Sequence, residues 1–289
     1  MEEIDDVEIE DTAFVMRESE FETSEGSTKI SYLACEPLEE AGFLNAFSTR
    51  LGGVSQLPKD ALNLTQFKGD AKEQVEENRR RFLKAIGAED ATIVTVRQIH
   101  STDRCFIKSM SQAKGAQQQC DAIMTKLKGV LLGVQTADCL PVLIADPKSG
   151  MMAAIHAGWR GTVGRITERT IADLMLAYGV NTRQCIAALG PVACVECYEI
   201  GEDVIEQYKQ GFRYWRNLVV NFKEGGKANL DVRAANIQQL IYGGITEDRI
   251  YTAPYCTMHN NELFFSYRRE SGGEPSKVGR LLSVIGRME

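Results

Sequence analysis

Cys139 and His156 stand at the two ends of a sequence hairpin. A thiol beside an imidazole can be part of a metal site or a nucleophile with its base, and each taken singly can be a buried thiol or a satisfied core histidine. Thr136-Ala-Asp-Cys139 opens the apolar run Leu140–Ala145. The turn Asp146-Pro-Lys-Ser-Gly150 follows, and then the second run, Met151–His156. Proline second and glycine last mark a tight reversal between two strands. With a loop of about two to four residues, Cys139 faces His156 or lies within a residue or two of doing so. Facing side chains have Cβ atoms about 4.5–5.5 Å apart, close enough to share an ion. Thr92–Ile99 reads as a third apolar strand, ending at His100. If that end meets the hairpin's open end, two imidazoles and a thiolate converge. Such a set suits zinc with a fourth position left for water.

Histidines are scarce, only His100, His156 and His259, so few other combinations exist. Copper(II) could occupy the same donors adventitiously, but one His/His/Cys cluster cannot build a multicopper centre. Without metal, Cys139 would act as a thiolate nucleophile with His156 as its base. Asp138 points away from Cys139 in an extended strand, which gives it a supporting role behind the site. Beyond His156 the chain enters Gly158-Trp-Arg-Gly161-Thr-Val-Gly164 and then a helix. This junction serves either an anion, with Arg160 beside it, or close helix–sheet packing.

The remaining pattern supplies the scaffold. Short β-rich runs recur at 30–35, 43–49, 104–108, 121–125, 130–135, 185–189 and 218–222. Helical stretches fall at 72–86, 162–178, 201–209 and 232–242. Strands follow one another between Asp121 and His156 with only turns between them, which predicts antiparallel neighbours and a mixed sheet system under helices. No linker divides the body, so one domain is expected over residues 27–289.

The chain has 289 residues, 44% hydrophobic and 25% charged, a composition that excludes wholesale disorder, collagen and coiled coil. Its net charge of −7 is uneven: residues 1–26 hold eleven acids and one base, which leaves the body near neutral. This acidic lead reads as a solvated, partly disordered segment. There is no basic stripe for nucleic acid, no apolar run long enough for a membrane and no secretory signal, so a cytoplasmic protein is expected. Eight cysteines are too dilute for a disulfide scaffold and are expected to be reduced. Cys194-Val-Glu-Cys197 is a lone C-x-x-C, read as ordinary thiols because a zinc ribbon needs a second pair. Dinucleotide, P-loop, nucleophile-elbow and H-E-x-x-H motifs are absent, as is the H-x-E with P-C-x-x-C signature of zinc deaminases.

Phe47-Ser-Thr-Arg50-Leu-Gly-Gly, Asn78-Arg79, Gln98-Ile-His100, Asp121-Ala122, Thr136-Ala-Asp-Cys-Leu-Pro-Val142, His156-Ala-Gly-Trp-Arg-Gly161 and Phe264-Phe-Ser-Tyr-Arg-Arg269 run in the order of a known family. They resemble the YfiH family, also labelled the laccase-domain or multicopper polyphenol oxidase family, over residues 43 to 285. The resemblance implies an α+β fold, a layered sandwich with mixed, largely antiparallel sheets. It implies zinc held by His100, Cys139 and His156, which would also be the catalytic residues. The implied activity is phosphorolysis of adenosine, inosine and S-methyl-5'-thioadenosine, with deamination of adenosine. The partners are then a nucleoside and phosphate, and oligomeric state is left open. Some members are credited instead with trimming misincorporated amino acids from peptidoglycan precursors. Two segments depart from the family pattern, Gln66–Asp70 and Gly190–Cys194, and both bear on the substrate rim. Arg50, after a strand and before Gly52-Gly53, is the first candidate for phosphate or a ribosyl oxygen, with Arg160 and Arg268 behind it. Trp159 or Phe264 could stack on a purine or simply pack the core. A non-enzyme alternative is a zinc-stabilised binding module recruited through the acidic lead.

Overall fold

Leu140–Ala145 is buried along its whole length because both its faces are covered. Leu143 and Ala145 enter one apolar layer, Val142 and Ile144 the next, as pleating dictates. In the computed structural model, residues 13–23, 26–57, 59–67, 69–274 and 277–288 are described. Leu140–Ala145 lies inside a six-stranded sheet ordered Ile250–Thr252, Ile186–Leu189, Leu140–Ala145, Met152–Ala157, Ala122–Thr125, Arg104–Phe106. Only its two outermost pairings are parallel. A facing six-stranded sheet is ordered Phe14–Thr23, Gly26–Cys35, Leu44–Ser48, Leu281–Arg287, Val130–Thr136, Thr92–Thr95, with the last pair alone parallel.

The two sheets bury Leu33, Phe47, Leu132, Val134, Leu143 and Met152 between them. Helix Lys72–Ala85 covers the facing sheet through Phe82, against Ile30, Leu131 and Val284. Helices Ile166–Tyr178 and Val232–Tyr242 cover the hairpin sheet through Ile171, Leu174, Ala235 and Leu240. The order is helix, sheet, sheet, helix: the layered sandwich with mixed, largely antiparallel sheets that the resemblance implied.

Several sequence expectations need correction. Val130–Thr136 does not sit beside the strands that follow it. It belongs to the facing sheet, and the chain returns through Ala137–Cys139. The helix expected over 162–178 is two pieces, Trp159–Val163 and Ile166–Tyr178. Arg165, in the left-handed region at φ 64°, breaks it. Part of the acidic lead is ordered: Phe14–Thr23 pairs residue for residue with Gly26–Cys35 as an edge strand. Exposed Glu18, Glu20 and Glu22 hid it, since charges along an edge strand discourage further pairing. Residues 1–12 of that lead lie outside the described residues. The expectation of reduced thiols fails at one pair, because a disulfide joins Cys105 to Cys120 across the intervening loop. Among the described residues no helix is long and apolar enough to cross a membrane.

Candidate metal centre

Two crossings between the sheets meet at one spot. Residues 96–103 lead from Thr92–Thr95 to Arg104–Phe106 and carry His100. Residues 137–139 lead from Val130–Thr136 to Leu140–Ala145 and carry Cys139. His156 comes from within the hairpin sheet. The ligand atoms of all three lie within 4.8 Å of one another. Cys139 Sγ is 3.9 Å from His100 Nε2, and the two imidazoles meet edge to face, centroids 4.8 Å apart. His156 pairs with Pro141, so Cys139 is two residues from direct opposition, the outer limit of the hairpin estimate.

Both crossings use left-handed backbone, at His100 (φ 57°) and Asp138 (φ 83°). The strand expected to reach Ile99 stops at Thr95, and Arg97 beyond it makes an isolated parallel bridge to Gln119. Asp121, fully buried, organises the turn. Its carboxylate accepts the amides of Ile99, His100 and Ser101 at 3.3, 3.0 and 2.7 Å and the Ser101 hydroxyl at 2.9 Å. It also lies 2.9 Å from His156 Nδ1. A proton on that nitrogen, the tautomer the network requires once an ion is bound, leaves the Nε2 lone pair to ligate the ion beside Cys139 and His100. Asp121 was legible only as part of the family pattern, although an acid opening an apolar strand was a usable signal. Asp138 turns away from the centre: its carboxylate accepts from Thr257 Oγ1 at 2.7 Å and the Arg268 amide at 2.6 Å.

The chemistry of the donors suits a divalent ion. Gly158 leaves the room, since a Cβ there would stand 3.0 Å from His100 Cδ2 and 3.2 Å from Cys139 Sγ. Burial pushes the Cys139 thiol up, but His156 and His100 outweigh it and hold it down at about 6. Burial pushes His156 down, and the Cys139 thiolate and Asp121 override it, raising it to about 9. Asp121 is lowered to about 2, the His156 and Ser101 hydrogen bonds outweighing its burial. Without an ion the pair is therefore thiolate and imidazolium between about pH 6 and 9. An incoming ion displaces the imidazolium proton over that range, and below it the thiol proton as well. Affinity should thus climb about tenfold per pH unit up to about 9, more steeply below about 6. Competition against a chromophoric chelator across that range checks this; a flat profile contradicts the ligand assignment.

These residues line a cavity of about 910 Å³. Arg79, Arg97 and Arg280 line it too, with no carboxylate in its wall and none within 4 Å of those three arginines among the described residues. Arg280 Nη1 donates to the Val278 and Gly279 carbonyls at 2.6 and 3.1 Å. The arginines nominated from sequence lie elsewhere. Arg50 is buried, donating to Asn261 O (2.7 Å) and Phe264 O (3.3 Å), paired with Glu270 (2.9 Å) and stacked on Phe265. Its Nη1 is spent on structure. Arg160 stacks on Trp159, and Arg268 stacks on Tyr198 and bonds the Glu199 carbonyl; neither lines the cavity. Phe264 is core, Trp159 packs against the helical layer, and the Gly158–Gly164 loop serves close packing against residues 100–102.

Cys194-Val-Glu-Cys197 is not isolated. Cys256-Thr-Met-His259 comes alongside, and the four ligand atoms lie within 4.8 Å of one another. The second pair ends in histidine and lies 59 residues downstream, counted from Cys197 to Cys256, which is why the sequence reading missed it.

Residues 44–288 match the family described as "Multi-copper polyphenol oxidoreductase laccase". A purine nucleoside phosphorylase of Deinococcus radiodurans is 37% identical over 243 residues, 84% of this chain and 88% of that protein. An adenosine deaminase from an unknown prokaryotic organism is 34% identical over 233 residues, 78% and 88% of the two chains. The crystal structure of YlmD from Geobacillus stearothermophilus superposes with a TM-score of 0.82 at 29% identity, covering 89% of this chain and 96% of that one. With the match running from the third strand of the facing sheet almost to the C-terminus, this chain belongs to the YfiH family.

Proposed function

We propose that this chain is a zinc-dependent purine nucleoside phosphorylase acting on adenosine, inosine and S-methyl-5'-thioadenosine, with adenosine deaminase activity. The observation that carries this is one cavity holding both a His100/Cys139/His156 donor set and three arginines without carboxylate partners. Relatives bearing the names purine nucleoside phosphorylase and adenosine deaminase support the substrate class. Phosphorolysis needs an anion site and a wall that tolerates growing positive charge on the sugar; deamination needs an activated water at the purine ring. A bound divalent ion would supply Lewis acidity and lower the pKa of a bound water to about 7. His100, Cys139 and His156 would hold it, with Asp121 fixing the orientation of His156. Arg280, Arg97 and Arg79 would bind phosphate, since guanidinium groups pair bidentately with its oxygens. Gln98, whose amide brackets the Gln135 backbone through two bonds of 2.7 Å, gives the cavity a rigid polar wall.

Incubation with adenosine, with and without phosphate, tests the reading. Adenine and ribose 1-phosphate should form only with phosphate, and inosine in either case. Arg280→Ala should raise the phosphate KM about 10–100-fold, the equivalent of losing a charge-assisted hydrogen bond, and leave inosine formation nearly unchanged. No product from any purine nucleoside would refute the proposal. A second reading draws on the Cys139–His156–Asp121 alignment, which is also that of a cysteine amidohydrolase acting on peptide-like precursors. Activity that survives chelation and is lost on alkylation would favour it.

A further inference from the structure

We propose that Cys194, Cys197, Cys256 and His259 form a second, structural zinc site, separate from the reaction centre. Strands Ile186–Leu189 and Ile250–Thr252 run parallel and paired, Ala187 with Ile250 through Leu189 with Thr252. Val192 and Cys256 extend that pairing by one bridge. Each strand then turns into a short loop with two sulfur or imidazole donors three residues apart, Cys194/Cys197 on one and Cys256/His259 on the other. Two such loops side by side are the geometry from which tetrahedral zinc knuckles are made.

The loops are tightly wound. The amides of Cys197 and Tyr198 donate to the Cys194 carbonyl at 3.1 and 2.9 Å, and Asn260 donates to the Cys256 carbonyl at 2.9 Å. The Cys194 amide donates to Cys256 Sγ at 3.3 Å, a bond that favours a thiolate at that sulfur. Cys197 Sγ lies 3.1 Å from His259 Nε2, and Cys194 Sγ 3.8 Å from Nδ1. Tetrahedral zinc with Zn–S of about 2.3 Å and Zn–N of about 2.0 Å asks for donors about 3.5–3.8 Å apart. An ion takes one nitrogen of His259, so the ring must turn to present that nitrogen to both sulfurs, and the four ligand atoms, already within 4.8 Å of one another, then close on it. Four protein donors leave no open position, which makes the site structural rather than catalytic.

The site has a reason to lie here. Thr257, between Cys256 and His259, donates to the Asp138 carboxylate, and the Ala193 amide, next to Cys194, donates to the Asp138 carbonyl at 3.1 Å. Asp138 precedes Cys139. Both knuckles therefore hold the crossing that presents the reaction-centre thiolate.

The test uses the intact chain, saturated with zinc and then desalted. Plasma mass spectrometry should find two zinc ions per chain, and Cys194, Cys197 and Cys256 should resist iodoacetamide until a chelator is added. Cys197→Ser should leave one. One ion in the parent chain, immediate alkylation of those three thiols, or a disulfide among them would each overturn the proposal. Because Cys139 is read in its own peptide, failure here is distinguishable from failure at the His100/Cys139/His156 set.

Discussion

Replacing His156 with alanine is expected to remove one divalent ion per chain and to slow turnover on the order of a thousandfold while the fold survives. Metal-assisted stabilisation of developing charge is worth several kcal/mol, and each 1.36 kcal/mol is about a factor of ten in rate. His156 supplies one donor of three and cannot be substituted from nearby, since the only other histidine in the centre is His100. The structural cost is moderate. Asp121 loses the imidazole but keeps three backbone amides and the Ser101 hydroxyl, so its charge stays solvated by the protein. Leaving one buried acceptor less satisfied costs about 1–3 kcal/mol. Metal analysis alongside a thermal melt separates the two effects. Undiminished metal in the folded variant would contradict the assignment. If the second zinc site holds as well, the count falls from two to one rather than to zero.

Asp121→Ala should do more damage than any change to a ligand. It orphans the amides of residues 99 to 101, on a turn where Ile99 and His100 are exposed, and strands the buried His156 imidazole. Removing one side of such a network costs about 3–5 kcal/mol. At about 2–4 °C per kcal/mol for chains of this size, the melting temperature should fall by roughly 6–20 °C. Asp121→Asn keeps the volume and one acceptor oxygen, so it should fold better yet bind metal about 10–100-fold more weakly, the usual penalty for a lost supporting carboxylate. A melt of the alanine variant within two or three degrees of the parent would refute the hub role. Unchanged metal affinity in the asparagine variant would refute the orienting role.

The hairpin that carries Cys139 and His156 was readable because two short apolar runs joined by the turn Asp146-Pro-Lys-Ser-Gly150 fix strand pairing locally. The convergence with His100 was readable only as a conditional. It depends on two sheets facing each other and on left-handed turns at His100 and Asp138, which no propensity encodes. The arginines show the limit most clearly. Arg50 follows a strand and precedes two glycines, yet its guanidinium turns inward to carbonyls and Glu270. Arg280 looked unremarkable in sequence, and strand Leu281–Arg287 delivers it to the cavity from near the C-terminus. Charge type was visible; which face of the fold receives it was not. The Cys194/Cys197 pair failed for a related reason, since its complement arrives through parallel pairing of strands distant in sequence.

Both passages between the sheets run past the donor cluster, and each enters the hairpin sheet within a few residues of its donor, with Asp121 at the head of Ala122–Thr125 pinning the turn at His100. An ion seated there would act as a rivet at the seam, one that must be drawn before the two slabs can part.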